Sequence, residues 1–283
     1  MNITIHSDFY SDDVFYNHSS KTDHIPDEFM PHFHDITEMI FIKSGDISYV
    51  VGGKKYKLKK DTLVLSRPTD RHCICIDGPA LYERYNILYN EKKLPFNIYE
   101  KIPADTNVID FAENSAVISL FKKMDYYCEN LEGENLNKIL TNLIEEIFFN
   151  IIIAVSNREQ NNYEPTNPII CKAVAYIDEN LLTLTGIDDI CKELYITKSH
   201  LHHLFTEHLK ITPKKYITTK RLALAQREIY AGGKATEICL KCGFSDYSAF
   251  FRAYKKHFDR CPSDIANVSY TTTAKDDILS YYD

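Results

Sequence analysis

The sequence contains no tryptophan and has no long uninterrupted run of apolar residues. A helix needs about 18 apolar residues to span a bilayer, and the longest run here, residues 147–155, is interrupted by Asn150. The amino terminus lacks the basic start and apolar core of a secretory signal. We therefore expect a cytoplasmic protein with no membrane partner, and we expect its eight cysteines to be free thiols.

The sequence also lacks the motifs of common enzymes. It has no nucleophile elbow, phosphate-binding loop or paired-carboxylate arrangement, so we predict no catalytic residues, no cofactor and no enzymatic activity. A composition of 44% hydrophobic and 26% charged residues excludes a disordered or fibrous chain. At about 100–200 residues per domain, 283 residues predict two domains with room for a third.

The charge is unevenly distributed along the chain. The whole sequence has a net charge of −7, which by itself argues against nucleic-acid binding. Residues 166–270, however, carry 15 Lys and Arg against 11 Asp and Glu, whereas residues 1–165 carry 17 against 26. This asymmetry is typical of a nucleic-acid-binding module fused to an acidic partner, although an ordinary solvated face would give the same excess.

The amino-terminal half shows the pattern of a β domain followed by helices. Short β-branched and aromatic runs at 39–42, 47–51, 62–65 and 82–89 predict strands in a sandwich or barrel. Residues 44–46 and 52–53 contain glycine and predict hairpin turns. Helical spacing at 114–155 predicts two amphipathic helices, and the apolar stretch 143–153 of the second packs either on the barrel or on another subunit.

The remainder divides into three segments. Residues 156–167 are polar and predict a linker, residues 168–267 are helical, and residues 268–283 form a tail without periodicity. The helical segment contains a repeat, since the apolar pattern of residues 187–194 recurs 48 residues later at 235–242. Each copy continues with a short turn, a capping residue (Thr197, then Asp246), a second helix and a closing proline (Pro213, then Pro262). This order is typical of helix-turn-helix units that place the second helix in the major groove of DNA.

A helix is predicted between the two copies. Thr212 caps it, Pro213 occupies the favoured first position, and Gly232-Gly233 marks its end. Such a helix would span about 28 Å, close to the roughly 34 Å of one turn of B-DNA. One chain could therefore read two successive major grooves on one face of the duplex.

The paired units resemble the AraC/XylS family of transcription regulators. The resemblance covers residues 168–267 and rests on ITKSHLHHLF, on RLALA in the connecting helix and on GFSDYSAFFRAYKKHF. It implies an α+β fold, with a cupin-like barrel and dimerisation helices in residues 1–155 and an all-α DNA-binding domain at 168–267. It also implies a homodimer that binds double-stranded DNA and activates transcription by contacting RNA polymerase. Lys210 and Asp259 stand where the family usually has glycine after each recognition helix.

The resemblance and the helical pattern together identify candidate DNA contacts. Arg252 is the strongest candidate for a base contact, because arginine pairs bidentately with guanine. Phe251 packs either on a thymine methyl or beside Phe250. The full set of outward residues on the two recognition helices is Lys198, Ser199, His202, His203, Thr206, Tyr247, Ser248, Phe251 and Arg252. The candidate phosphate contacts, each with a solvated surface as the alternative, are Lys214, Lys215, Lys220, Arg221, Lys255 and Lys256.

Four residues of the amino-terminal half resemble a cupin motif. His32, His34 and Glu38 follow the spacing H-x-H-x3-E, and His72 lies near a later strand. In metal-binding cupins such residues hold a divalent transition metal, but Ile76 stands where those proteins often have asparagine. We predict that the four residues line a small-molecule effector pocket without metal, with stabilisation of the strand edge as the alternative. A metal-dependent cupin enzyme fused to a DNA-binding module is the alternative function, and a regulator whose barrel only dimerises is a third option.

Two cysteine pairs have spacings that also occur in metal and redox sites. Cys239 and Cys242 are separated by two residues in the manner of a zinc half-site, but no second pair has a matching spacing. Cys73 and Cys75 would share one face of a strand. We expect packed thiols in both places.

Overall fold

The protein is described by a computed structural model that covers residues 3–22, 32, 36–68, 70–112, 114–156, 164–165, 167–230, 232–258 and 260–267. His34, Asp259 and the tail 268–283 therefore lie outside the described residues. The strands of the amino-terminal half are β1 (Ile3–Tyr10), β2 (Val14–Lys21), β3 (Thr37–Ser44), β4 (Ile47–Val51), β5 (Lys54–Lys57), β6 (Thr62–Ser66), β7 (His72–Ile76), β8 (Tyr82–Tyr89) and β9 (Val108–Asp110). Two helices follow, α1 (Ser115–Asn130) and α2 (Gly133–Ser156).

The strands form two antiparallel sheets that face each other as a cupin-like barrel. The larger sheet has the order β1-β2-β8-β3-β6-β9, and the smaller contains β5, β4 and β7. The glycines at 52–53 form the predicted hairpin turn between β4 and β5, with φ of +56° and +77°. The turn predicted at 44–46 is not a hairpin, because β3 and β4 belong to different sheets and the chain crosses between them there.

Strand β8 separates two cores because its alternate side chains point to opposite faces. Tyr85, Ile87 and Tyr89 join the apolar cluster that contains the buried faces of α1 and α2. Tyr82 belongs to the cluster between the sheets, which includes Ile40 of β3 and Tyr49 of β4. The two predicted helices thus cover the outer face of the larger sheet, and its other face lines the barrel interior.

Helix α2 is strongly apolar, although Asn150 interrupts its longest apolar run. By length and composition alone it would be long enough to cross a membrane. Seven of its residues are buried, however, and all seven belong to the cluster that the helix forms with the sheet: Leu136, Leu140, Leu143, Ile144, Ile147, Phe148 and Ile151. Much of the stretch 143–153 therefore packs within its own chain. The apolar residues left on its surface are Phe149, 43% exposed, and Ile153, 60% exposed.

A cluster of polar side chains lies under α1, where sequence patterns gave no indication of one. Asp125 accepts hydrogen bonds from the hydroxyls of Ser7, Tyr16 and Tyr85 and contacts Nδ1 of His18 at 3.0 Å. Burial opposes ionisation of Asp125, but the hydrogen bonds from His18, Ser7 and Tyr16 outweigh it and lower its pKa. Burial likewise opposes protonation of His18, but hydrogen bonds and charge attraction from Asp125 and Glu83 raise its pKa.

These shifts predict a pH-dependent contribution to stability. The lowered pKa of Asp125 stabilises the fold above its ordinary value near 3.9, and this contribution is lost as the pH falls through the folded-state pKa. The raised pKa of His18 stabilises the fold below about pH 6.5 and ceases to do so as the pH rises through its folded-state pKa. Asp125→Asn should lower the free energy of unfolding by about 2 kcal/mol near pH 5–6 and by less at pH 8.

Urea unfolding at several pH values measures this difference, and Glu129→Gln, an exposed carboxylate on the same helix, is the control. A loss that is the same at every pH would mean that the ionised pair does not contribute.

The segment predicted as a linker contributes a short strand. Glu164–Pro165 forms β10, which pairs antiparallel with Lys55 and Lys54 of β5. Just beyond it, the side chain of Asn167 accepts hydrogen bonds from the backbone N–H groups of Ile169 and Ile170 and caps the next helix. Part of the predicted linker is therefore anchored on the smaller sheet.

The carboxyl-terminal half consists of helices packed around two apolar clusters. They are α3 (Pro168–Asn180), α4 (Ile187–Glu193), α5 (Lys198–Leu209), α6 (Pro213–Tyr230), α7 (Ala235–Lys241) and α8 (Tyr247–Phe258). The first cluster joins α3, α4, α5 and the start of α6, and the second joins the later part of α6 to α7 and α8. The predicted repeat is confirmed as α4–α5 and α7–α8, with α6 between them.

The cysteines are all free. Cys239 and Cys242 are buried in the second helical cluster, as expected for packed thiols. The Sγ atoms of Cys73 and Cys75 lie 3.9 Å apart on one face of β7. Neither pair has gained a further metal ligand among the described residues.

Candidate nucleic-acid interface and effector pocket

The first recognition helix, α5, begins at a side-chain cap and exposes the predicted surface. The hydroxyl of Thr197 accepts a hydrogen bond from the backbone N–H of His200 and satisfies one free donor of the first turn. Leu201, Leu204 and Phe205 are buried. The opposite side of the helix exposes Lys198, Ser199, His202 and His203, while Thr206 is half-buried.

The second recognition helix, α8, likewise begins at a side-chain cap, buries one face and exposes the other. Asp246 accepts a hydrogen bond from the backbone N–H of Ala249, and this bond contributes most to lowering the pKa of its carboxyl group. Phe250 and Tyr254 are buried. Tyr247, Ser248 and Arg252 are exposed, whereas Phe251 is half-buried with its ring 6.1 Å from that of Tyr247.

The candidate phosphate contacts divide into two groups. Lys214, Lys215, Lys255 and Lys256 are exposed, as a contact with a nucleic-acid backbone would require. Lys220 and Arg221 were predicted wrongly. Lys220 is 5% exposed and pairs with Asp178 of α3, and Arg221 donates to backbone carbonyls within the domain. Their position on the inner side of α6 explains the error, since the lysines and arginines of a helix with a weak apolar stripe do not reveal which side is covered.

The end of α5 carries a strained residue at the expected glycine position. Lys210 has φ of +52° and ψ of +33°, the left-handed conformation that glycine adopts without cost. Its backbone N–H donates to the carbonyl of Phe205. Arg71, from the loop before β7, donates from Nε to the carbonyl of Leu209 at 2.9 Å. A cation at a helix carboxyl terminus is stabilising, so the amino-terminal half supports this strained helix end.

Three of the four cupin-like residues come together inside the barrel. One potential ligand atom from each of His32, Glu38 and His72 lies within 4.8 Å of the others. His32 and His72 exchange backbone hydrogen bonds of 3.0 and 2.9 Å, and their ring centroids are 4.6 Å apart. His34 lies outside the described residues. The predicted cluster therefore exists for the three residues that the structure describes.

Glu38 is held by partners on both of its oxygens. Oε1 accepts a hydrogen bond from Nδ2 of Asn86 at 2.9 Å, and Oε2 lies 2.9 Å from Nε2 of His72. Nδ1 of His72 lies 2.8 Å from the carbonyl of Asp70, an atom that can only accept. With Nδ1–H donating there, Nε2 and the Glu38 carboxylate face each other at a point where a shared proton or a bound cation would satisfy both. Metal-ligating histidines typically donate their other ring N–H to a carbonyl in this way, so His32, Glu38 and His72 are chemically able to hold a divalent transition metal.

Further polar residues line the same interior and were not predicted. Asn17 pairs with Asn86 and Ser19 with Arg84 across β2 and β8, and all four side chains are at most 6% exposed. The side-chain oxygens of Asn17 and Asn86 have no hydrogen-bond partner within the described part of the chain. Buried carbonyl oxygens of this kind require a donor, and a bound ligand or water would supply one. The alternation of polar 84 and 86 with apolar 85, 87 and 89 is the signal that could have identified this face.

Direct contacts connect the barrel to the helical half. Nη2 of Arg227 on α6 lies 2.7 Å from Oε1 of Glu91, whose Oε2 accepts a hydrogen bond from the hydroxyl of Thr37 at 3.1 Å. The Glu91 side chain is 4% exposed, so this ion pair is largely shielded from solvent. The loop that presents His72 to Glu38 also carries Arg71, which holds the end of α5. The interior cluster and a recognition helix are thus linked through two adjacent residues.

Comparisons with known proteins match both halves of the chain. Residues 190–267 match a helix-turn-helix domain, and residues 21–124 match an AraC-like ligand binding domain. The HTH-type transcriptional activator RhaS of Escherichia coli O139:H28 is 23% identical over 251 residues, covering 84% of this chain and 87% of the relative. RhaS of E. coli strain K12 / DH10B matches over the same span.

Two solved structures are also similar to this chain. ToxT from Vibrio cholerae O395 is 13% identical, covers 90% of this chain and 97% of its own, and has a TM-score of 0.38. An AraC-type transcriptional regulator from Chromobacterium violaceum is 28% identical over 35% of this chain and 88% of its own, with a TM-score of 0.33. At these TM-scores, neither structure defines how the two halves are arranged here.

Proposed function

The chain belongs to the AraC/XylS family of transcription regulators, and we propose that it activates transcription from specific DNA sites in response to a small molecule bound inside its barrel. In this proposal residues 168–267 read DNA, residues 1–155 sense and dimerise, and the active form is a cytoplasmic homodimer that contacts RNA polymerase. The activator names of the relatives support activation over repression. The same names favour a regulator over the metal-dependent cupin enzyme. Measuring the metal content of the purified protein tests that enzyme alternative directly.

One observation carries the DNA-binding part of this proposal. Two recognition helices expose their predicted faces from a single helical unit, joined by α6. The 18 residues of α6 span about 27 Å, which suits two successive major grooves roughly 34 Å apart. Both helices begin at a side-chain cap and bury the face opposite the predicted contacts, so their exposed residues are positioned by the fold.

Arg252 provides the sharpest test of base recognition. Sites selected from a random DNA pool by the full chain give the sequence preference, and Arg252→Ala should relax it at one base pair by about 1–3 kcal/mol. Lys256→Ala is the matched control, because this exposed lysine lies one turn further along α8. It should weaken all sequences alike and reduce the salt dependence of binding. A uniform loss with Arg252→Ala would instead assign Arg252 to the phosphate backbone.

The contacts between the halves support a route for the effector response. A ligand that engages Glu38 and His72 differently in two conformations would shift the balance between them. His72 is the first residue of β7 and directly follows Arg71, so a change at the pocket can reach the carboxyl end of α5 through two adjacent residues. The Arg227–Glu91 ion pair holds α6 to the same barrel. We propose that effector binding alters these contacts and so the presentation of the two recognition helices.

A further inference from the structure

Arg221 connects the two helix-turn-helix units directly. It lies on α6, and its guanidinium donates four hydrogen bonds to backbone carbonyls. Nε and Nη2 reach the carbonyl of Leu181 at 3.0 and 2.9 Å, and Nη2 also reaches that of Leu184 at 2.6 Å. Nη1 reaches the carbonyl of Gly243 at 2.8 Å. Leu181 and Leu184 lie in the loop that leads into α4 and pack in the apolar cluster of the first unit, whereas Gly243 forms the turn of the second.

The turn of the second unit is shaped to receive this arginine. Gly243 has φ of +81°, and a Cβ atom there would lie 2.7 Å from Cζ of Arg221. A side chain at this position would be strained by the backbone conformation and would have to displace the guanidinium. The equivalent residue of the first unit, 48 positions earlier, is Tyr195, which also has a positive φ of +54° but is 95% exposed. Only the second turn combines glycine with a packed arginine.

The hydrogen bonds that Arg221 makes to both units can fix the angle between the units as well as their separation. A guanidinium is planar and presents its donors in a fixed fork, and here the fork spans three carbonyls on two units. The apolar clusters attach each unit to α6 separately, since the first contains Tyr216 and Ile217 and the second contains Leu222 and Ala225. Lys220 ties α6 to Asp178 of α3, on the side of the first unit. Arg221 adds the polar link between the first unit and the second.

We propose that Arg221 is the positioning residue that sets the relative placement of the two recognition helices and therefore the half-site spacing that the protein accepts. This inference rests on the proposed DNA-reading function. Inserting one base pair between two half-sites turns one of them by about 34° around the duplex axis and moves it by about 3.4 Å. Two helix-turn-helix units held together by Arg221 cannot rotate to match the displaced half-site. Two units joined through α6 alone have more freedom to do so.

The test compares operators that differ only in spacing. Wild-type protein and variants are titrated onto the selected operator and onto versions with one base pair inserted or removed between the half-sites. Wild type should prefer the selected spacing by about tenfold or more, in the range of a single mismatched pair. Arg221→Met should reduce this ratio to less than about threefold, chiefly by weakening the selected operator.

Two further variants separate positioning from stability. Arg221→Lys keeps the charge but has no planar fork, so it should also lower the spacing ratio, and it decides the matter if Arg221→Met does not fold. Thr212→Ala removes the hydroxyl that accepts a hydrogen bond from the backbone N–H of Lys215 at the start of α6 and leaves the bridge intact. It should lower the melting temperature while keeping the wild-type spacing ratio.

The outcomes distinguish this inference from the proposed function. A wild-type chain without any sequence preference would contradict the proposed function. A wild-type chain that binds its operator specifically but accepts all spacings equally would overturn the inference alone. The inference also fails if a folded Arg221→Met or Arg221→Lys chain keeps the full wild-type spacing ratio.

Discussion

Ile147→Lys should unfold the amino-terminal half, whereas Ile153→Lys should leave it folded and abolish the proposed homodimer. Ile147 is fully buried in the cluster between α2 and the larger sheet. A lone charge placed there has no partner, and such changes belong to the most destabilising substitutions, at about 4 kcal/mol or more. Ile153 is 60% exposed, and its replacement costs the chain little by itself.

The dimer part of this prediction follows from the residues that α2 leaves uncovered. Phe149 and Ile153 lie one turn apart on its exposed side, and a second copy of the chain would remove both from water. Lysine is chosen because a cation in the last turn of a helix suits the helix dipole, so that any loss of dimer reflects the interface. Since each subunit of a dimer would bind its own part of the operator, operator affinity should fall as well.

Sedimentation at micromolar concentration measures the association, and circular dichroism shows whether each variant folds. Asn142→Lys is the matched control, because Asn142 is exposed on the same side of α2 about three turns before Ile153. It should keep both the fold and the dimer. A monomeric wild type, or an Ile153→Lys chain that associates as strongly as wild type, would place the interface elsewhere or exclude it.

The case of α2 shows what the sequence could and could not predict. Its existence and its apolar character follow from helical spacing, but spacing could not say whether residues 143–153 face the barrel or a partner. The structure divides them, because the sheet covers Ile147 and Ile151 and leaves Phe149 and Ile153 in solvent. Periodicity identifies an apolar stripe, whereas the surface that covers it depends on tertiary contacts distant in sequence.

The helical half was the most predictable part because its information is local. Repeat spacing, capping residues and closing prolines all lie within about 15 residues of each helix, and the helices begin where Thr197 and Asp246 cap them. Lys220 and Arg221 were misassigned because their carbonyl and carboxylate partners lie about 40 residues earlier and 22 residues later. Charge and exposure cannot be separated in a single sequence when the partners are so distant.

The barrel was predictable in outline only. Motif spacing identified His32, Glu38 and His72, which the structure brings together. It missed Asn17 and Asn86, because cross-strand neighbours are set by the order β2-β8-β3, and that order does not follow the chain. The polar cluster around Asp125 was missed for the same reason, since its partners come from β1, β2 and β8.

Glu38→Gln should eliminate the effector response while preserving the fold of the DNA-binding half. Glutamine has nearly the same shape as glutamate, but it cannot accept on both sides as the carboxylate does from Asn86 and His72. Removing the charge weakens the hydrogen bonds that the carboxylate makes with Asn86 and His72, and a hydrogen bond to a charged group typically contributes about 1.5–3 kcal/mol to the free energy of unfolding. Because the isosteric amide keeps part of the hydrogen bonding, we expect a loss in the free energy of unfolding at the smaller end of that range.

The measurement begins with a thermal-shift screen of small metabolites and divalent transition metals against wild type. A compound that binds the folded chain raises the melting temperature in proportion to the logarithm of its concentration over Kd. Glu38→Gln should lose that shift in melting temperature. It should also lose the ligand-dependent change in operator affinity, because a ligand shifts the balance only when it binds one conformation more tightly. Its ligand-free operator affinity should stay within about threefold of wild type. Glu100→Gln, an exposed carboxylate of the same half, should respond as wild type does. A folded Glu38→Gln chain that keeps the full ligand response would place the sensing site outside the barrel interior. A response to metal alone that Glu38→Gln loses would indicate a metal site at His32, Glu38 and His72.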